Sequence, residues 1–191
     1  LKRPILVGHS LGAGVIAQFV LDYPNVAAGI VFLDGDGLSI SYPGTGVIGW
    51  IPNPYRTALY DTAVHSGTLI KTIFEAVCGR GCPPFTQEVL RQVQRPLEVK
   101  GAEESLLSFG SRAIVGVTSN QLEHLRSFRI PSIVIFGSND SEFSTNAAYE
   151  TARRIGAPSP VIIRGAGHLT MWSRPSQVAT AIYTFARNVT H

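Results

Sequence analysis

An α/β fold, with a mostly parallel sheet flanked by helices, is predicted from three observations. Four short apolar runs end in turn residues, helical patterns follow them, and the runs are continuous rather than alternating. Continuous apolar strands belong to sheets that are covered on both faces.

Ile5, Leu6 and Val7 form the first run, closed by Gly8. From Leu11 the pattern becomes helical, with Val15, Ile16, Phe19 and Val20 on one face until Tyr23-Pro24 stops it. The second run, Gly29-Ile30-Val31-Phe32-Leu33, is rich in β-branched and aromatic residues and ends at Asp34-Gly35-Asp36-Gly37. Together these segments predict a βαβ unit. Ser132-Ile133-Val134-Ile135-Phe136 ends at Gly137-Ser138-Asn139-Asp140, and Pro160-Val161-Ile162-Ile163-Arg164 ends at Gly165-Ala166-Gly167-His168. A final helix carries Val178, Ile182, Phe185 and Val189 as one stripe facing a sheet. Between Leu38 and Arg129 the rhythm differs: Leu69, Ile70, Ile73, Phe74 and Val77, then Val89, Leu90 and Val93, repeat at helical spacing. The expected organisation is therefore a core of residues 1–37 and 130–191 interrupted by a helical insertion over 38–129.

At 191 residues the chain is long enough for one sizeable core and short for two ordinary domains. Its 16 Lys+Arg against 13 Asp+Glu give a formal charge of +3, carried by scattered arginines and three lysines. No basic stripe points to nucleic acid. Charged residues make up 15%, below the roughly 25% of an average domain, yet no window approaches the ~18 uninterrupted apolar residues of a membrane span. No transmembrane segment is expected.

Gly8-His9-Ser10-Leu11-Gly12 matches G-x-S-x-G between a predicted strand and a predicted helix. That placement gives the motif its chemistry. A sharp turn forces the serine into a strained conformation, lifts its hydroxyl above the sheet edge and sets it beside a helix N-terminus, where developing negative charge is favoured. Crowding of the turn accounts for glycine on both sides of Ser10, and the Leu11 N–H becomes a candidate oxyanion donor. His9, inside the elbow, is a candidate for lining the pocket floor.

In motif and context the chain resembles an α/β-hydrolase with a helical cap, from the nucleophile-elbow strand onward. The resemblance implies a triad in chain order Ser, Asp, His, with the His after the last strand. Ser10, Asp140 and His168 fall on those positions. Serine alone is a poor nucleophile, so His168 would take its proton and Asp140 would fix the imidazole tautomer. Asp34 competes with Asp140, because some members of the fold place the acid one strand earlier, and Asp36 and Glu142 trail behind. Met171 and Trp172 follow His168 closely enough to touch substrate, and Trp50, Tyr55, Tyr60, Phe74 and Phe85 are candidates for an acyl or alkyl pocket. His65, His124 and His191 have no catalytic context.

The resemblance further implies upstream strands and a loop donating a second oxyanion N–H, none of which lies in these residues. The chain opens on Leu-Lys-Arg-Pro and runs straight into the elbow strand. The expectation is a fragment of a larger hydrolase, or a chain completed by another segment, since the first strand otherwise leaves an apolar edge unpaired. No His/Cys/carboxylate cluster has metal-ligand spacing and no dinucleotide fingerprint is present, so no metal and no cofactor are expected. Cys78 and Cys82 are spaced C-x3-C; a bridge and an exported location are favoured over a reduced cytosolic pair.

The predicted activity is cleavage of a carboxylic ester or related small acyl substrate through an acyl-enzyme. Perhydrolysis, C–C bond hydrolysis and acyl transfer remain open for a Ser elbow, as does a weakly active small-ligand receptor.

Overall fold

The computed structural model of the protein describes residues 3–39, 50–79, 81–111 and 116–190, the side chains of 107–111 and 190 excepted. Among these residues one four-stranded sheet is found, with spatial order β1-β2-β3-β4 and every pair parallel. The strands are β1 (Ile5–His9), β2 (Gly29–Leu33), β3 (Ser132–Gly137) and β4 (Val161–Ile163). The predicted α/β architecture is therefore present.

Helix α1 (Leu11–Asp22) connects β1 to β2, α7 (Thr145–Ile155) connects β3 to β4, and α8 (Thr170–Ser173) and α9 (Pro175–Thr190) follow β4. Side chains that alternate along the central strands build two cores. Ile30 and Phe32 of β2 join Val134 and Phe136 of β3 against α1 and α7, while Val31, Leu33, Ile135 and Ile163 pack against Val178, Ile182 and Phe185 of α9. The stripe read from α9 thus faces the sheet. β2 is buried along its whole length, which explains why its run shows no polar alternation.

Helix α1 corrects one expectation. Its buried residues are Ala13, Gly14, Ala17 and Val20, whereas Val15 is 52% exposed and Phe19 36%. Small side chains let the helix axis approach the sheet closely, so the seated face is the one with least bulk rather than most hydropathy.

The chain forms two compact units: residues 1–39, 77–83 and 115–191, which hold the sheet, and residues 40–76 and 84–114. In the second unit lie α2 (Tyr55–His65), most of α3 (Gly67–Cys78), α4 (Gln87–Gln94) and α5 (Ala102–Ser111). Phe74 and Phe85 meet within it at 5.4 Å between ring centroids, and the Tyr60 hydroxyl donates to the carbonyl of Leu97. Trp50 and Tyr55 are largely exposed.

Helix α6 (Ser119–His124) belongs to the sheet unit, although the sequence pattern placed it in the insertion over 38–129. Val117, Leu122 and Leu125 are buried in the core shared by α1, α7 and the sheet. Leu38 and Val117 form a parallel bridge at the point where the chain leaves the sheet unit and returns. Helical period reveals α6 but not its partner. Its start is well specified: Thr118 accepts from the Gln121 N–H while the Gln121 side chain accepts from the Thr118 N–H, a capping box.

Candidate active site

The turn between β1 and α1 carries Ser10 at φ 51° and ψ −119°, a left-handed backbone that non-glycine residues rarely adopt. Such a conformation costs on the order of 1–3 kcal/mol and persists only where its surroundings enforce it. Enforcement here is visible, because the Ser10 N–H donates to the Leu33 carbonyl at 2.9 Å and the Ser10 carbonyl accepts from the Ala13 N–H at 3.0 Å. A Cβ on Gly8 would lie 2.3 Å from the Gly12 carbonyl oxygen, so Gly8 is required for the turn to close. Gly12 differs from the expectation: among the described residues a Cβ there meets nothing within 4 Å. Gly8→Ala is accordingly expected to lower the unfolding free energy by about 3 kcal/mol, the cost of overpacking against main chain, as read from urea denaturation.

His168, on the loop after β4, places Nε2 2.9 Å from Ser10 Oγ and Nδ1 2.9 Å from Asp140 Oδ2. The three residues named from the sequence are thus brought into one hydrogen-bonded chain. Asp140 is held from its other oxygen: Oδ1 accepts from the N–H of Glu142 at 2.7 Å and of Phe143 at 3.0 Å. The ring of Phe143 stacks on the His168 imidazole with centroids 5.7 Å apart. With Nδ1 donating to the carboxylate, Nε2 is left as an acceptor for the serine hydroxyl.

Burial draws the His168 pKa down, but the hydrogen bond and charge of Asp140, with smaller help from Asp34 and Glu142, leave it above the ordinary 6.5. A general base must be neutral to accept a proton. Any reaction that uses His168 as a base is therefore expected to slow as pH drops, with the limb of its pH–rate profile displaced above the ordinary histidine value; Asp140→Asn moves that limb to lower pH.

Asp34, the competing carboxylate, lies fully buried at the end of β2 and is committed elsewhere. Its Oδ1 accepts from the Gly137 N–H at 2.9 Å, and its Oδ2 accepts from both the N–H and the hydroxyl of Thr170. It thereby ties β2 to β3 and to α8. Burial raises its pKa from 3.8 to about 6, against the lowering effect of those hydrogen bonds. Since the folded-state value lies above the unfolded one, this group's contribution to stability is greatest below 3.8 and is lost as pH rises through about 6. Thr170 gave no signal in the sequence, because nothing local marks a threonine that meets a carboxylate 136 residues away. Asp36 turns back on itself, its Oδ1 accepting from the Leu38 N–H.

His9 donates from Nε2 to the carbonyl of His168 at 2.9 Å, and burial holds its pKa below the ordinary value. Its side chain thus meets the main chain of His168. Leu11 opens α1, so its N–H is among those that a helix leaves without an intrahelical acceptor. Met171 packs on the core between the sheet and α9, and Trp172 beside it is half-buried. His65 bonds the Asp61 carbonyl within α2, His124 lies edge-on to Phe128, and His191 lies outside the described residues.

Fold and elbow together define a parallel α/β sheet with a strained serine at the strand-to-helix turn of its first strand. The chain belongs to the alpha/beta hydrolase family, whose model matches residues 1–181. It is 28% identical over 96% of its length to a pyrethroid hydrolase of Sphingobium wenxiniae, and covers 64% of that protein. Among solved structures it resembles a thermophilic esterase from Thermogutta terrifontis, at 20% identity and TM-score 0.70, over 98% of this chain and 66% of the other. It also resembles a carboxylesterase from Bacillus subtilis, at 21% identity and TM-score 0.66, over 97% and 60% of the two chains. The chain thus spans a little under two thirds of the length of these relatives.

Proposed function

We propose that this chain carries the catalytic residues of a serine hydrolase that cleaves a carboxylic ester, or a related small acyl compound, through an acyl-enzyme. The observation that carries the reading is the relay from Asp140 Oδ2 through His168 to Ser10 Oγ, with both distances at 2.9 Å. Family membership and the esterase and hydrolase relatives support the same class.

In this reading Ser10 Oγ attacks the substrate carbonyl carbon as its proton passes to His168 Nε2. Asp140 holds the tautomer and stabilises the imidazolium. The Leu11 N–H, at the positive end of α1, donates to the oxyanion. Collapse of the tetrahedral intermediate expels the alcohol, which takes the proton from His168, and leaves the acyl group on Ser10. A water then attacks, again giving its proton to His168, and Ser10 leaves as the restored hydroxyl. His9 and Asp34 act from beneath, through the main chain of the His168 loop. The site asks for no metal or cofactor in this scheme, and the substrate is a small acyl compound rather than a nucleic acid.

Stopped-flow hydrolysis of p-nitrophenyl esters tests the two-step course. A burst of nitrophenolate approaching one equivalent per chain is expected wherever deacylation limits turnover. Turnover that persists at an undiminished rate in Ser10→Ala would assign the hydrolysis to another group.

A further inference from the structure

We infer that the Cys78–Cys82 disulfide positions His168 through the Val77 carbonyl just before it and the Gly81 carbonyl within it, so that Cys78, Cys82 and Arg174 govern the rate through the orientation of the imidazole. The inference rests on His168 acting as the general base.

Cys78 ends α3 and is joined to Cys82 by a disulfide, with 6.0 Å between the Cα atoms. The segment clusters with the sheet rather than with the rest of α3. It meets the loop of His168 at two places. The Val77 carbonyl accepts the His168 N–H at 3.2 Å, and the Gly81 carbonyl accepts from Arg174 Nη1 at 3.2 Å. At the first place the two main chains touch: a Cβ on Gly167 would lie 2.3 Å from the Cys78 carbonyl oxygen, so only glycine fits immediately before His168. The His168 carbonyl is in turn held by His9 Nε2. Both polar main-chain groups of His168 are therefore fixed, one by the elbow and one by the bridged segment.

The covalent closure matters because of what it closes. Gly79 and Gly81 both have positive φ, at 71° and 89°, and glycine has the most backbone freedom to regain when a constraint is released. The bridge restricts Gly79 and Gly81, and with them the Gly81 carbonyl, and it ties the end of α3 that carries the Val77 carbonyl to Cys82. Arg174 binds the Ser173 carbonyl as well as that of Gly81, so the second tether is anchored at both ends. None of these side chains bonds Ser10 or Asp140. Their influence is on where the imidazole stands, and a displacement of about 1 Å is enough to cost on the order of a hundredfold in rate.

The test compares the oxidised protein with the Cys78→Ala/Cys82→Ala double variant and with Arg174→Met. Two readouts follow His168 directly: the low-field proton resonance of Nδ1–H bonded to Asp140, and hydrogen exchange at the His168 amide. In the double variant the resonance is expected to broaden or vanish and the amide to exchange faster, with kcat down at least about tenfold and KM changed less than about twofold. Arg174→Met, which keeps the bridge, shifts the same readouts in the same direction by less and serves if the double variant does not fold. Reduction of the oxidised protein by dithiothreitol, which supplies two electrons and two protons to give two thiols, reproduces the double variant, and reoxidation restores it. Unchanged resonance and exchange in a folded chain without the bridge overturn the inference. A bridged chain whose resonance responds as described but which turns over no ester supports the positioning and counts against the hydrolase reading.

Discussion

Ser10→Ala is expected to lower ester hydrolysis by at least about 10⁴-fold while leaving the fold intact, because the variant deletes one hydroxyl and no packing contact of the core. It also removes the only side-chain atom at Ser10 that His168 Nε2 bonds. His168→Ala is expected to fall to a similar level, and the double variant no further, since in the proposed scheme Ser10 and His168 act as a unit. Additive losses in kcat would show that the two side chains work independently. Thermal unfolding of each variant separates a chemical loss from a structural one.

Exchange of the two candidate acids gives the second large effect. Asp140→Asn is expected to reduce kcat by about 10⁴-fold with little change in stability, because an amide facing Nδ1 selects the wrong imidazole tautomer. Asp34→Asn acts differently. Its carboxylate accepts three hydrogen bonds, from Gly137 and from both donors of Thr170. An amide has one oxygen, so its NH₂ must face a donor, and a loss of about 1–3 kcal/mol in unfolding free energy is expected. Steady-state kinetics and urea unfolding on both variants check the assignment. A larger kcat loss in Asp34→Asn than in Asp140→Asn would reverse it.

The strands were legible because each is an apolar run closed by Gly, Asp or Asn, whether buried almost throughout like β2 and β3 or only in part like β1 and β4, and these residues punctuate a chain whatever its tertiary surroundings. The elbow was legible for a related reason, since G-x-S-x-G has meaning only between a strand and a helix and both flanks could be read. What escaped the sequence depends on which face meets which partner. Val15 and Phe19 look like the inner face of α1, yet Ala13 and Ala17 lie against the sheet because they let it come close. Leu122 and Leu125 carry no mark that assigns them to the sheet core instead of the insertion. The choice between Asp34 and Asp140 was equally hidden. Both follow the carboxyl ends of adjacent strands, and only the path of the loop from Ser138 to Phe143 brings one carboxylate to His168 while Thr170 claims the other.

Fluorophosphonate labelling with intact and peptide mass analysis measures whether Ser10 is an activated nucleophile. One adduct per chain, on the peptide that contains Ser10 and lost in both Ser10→Ala and His168→Ala, is the predicted result. A folded chain that takes no adduct, or takes one that persists without His168, would contradict the account.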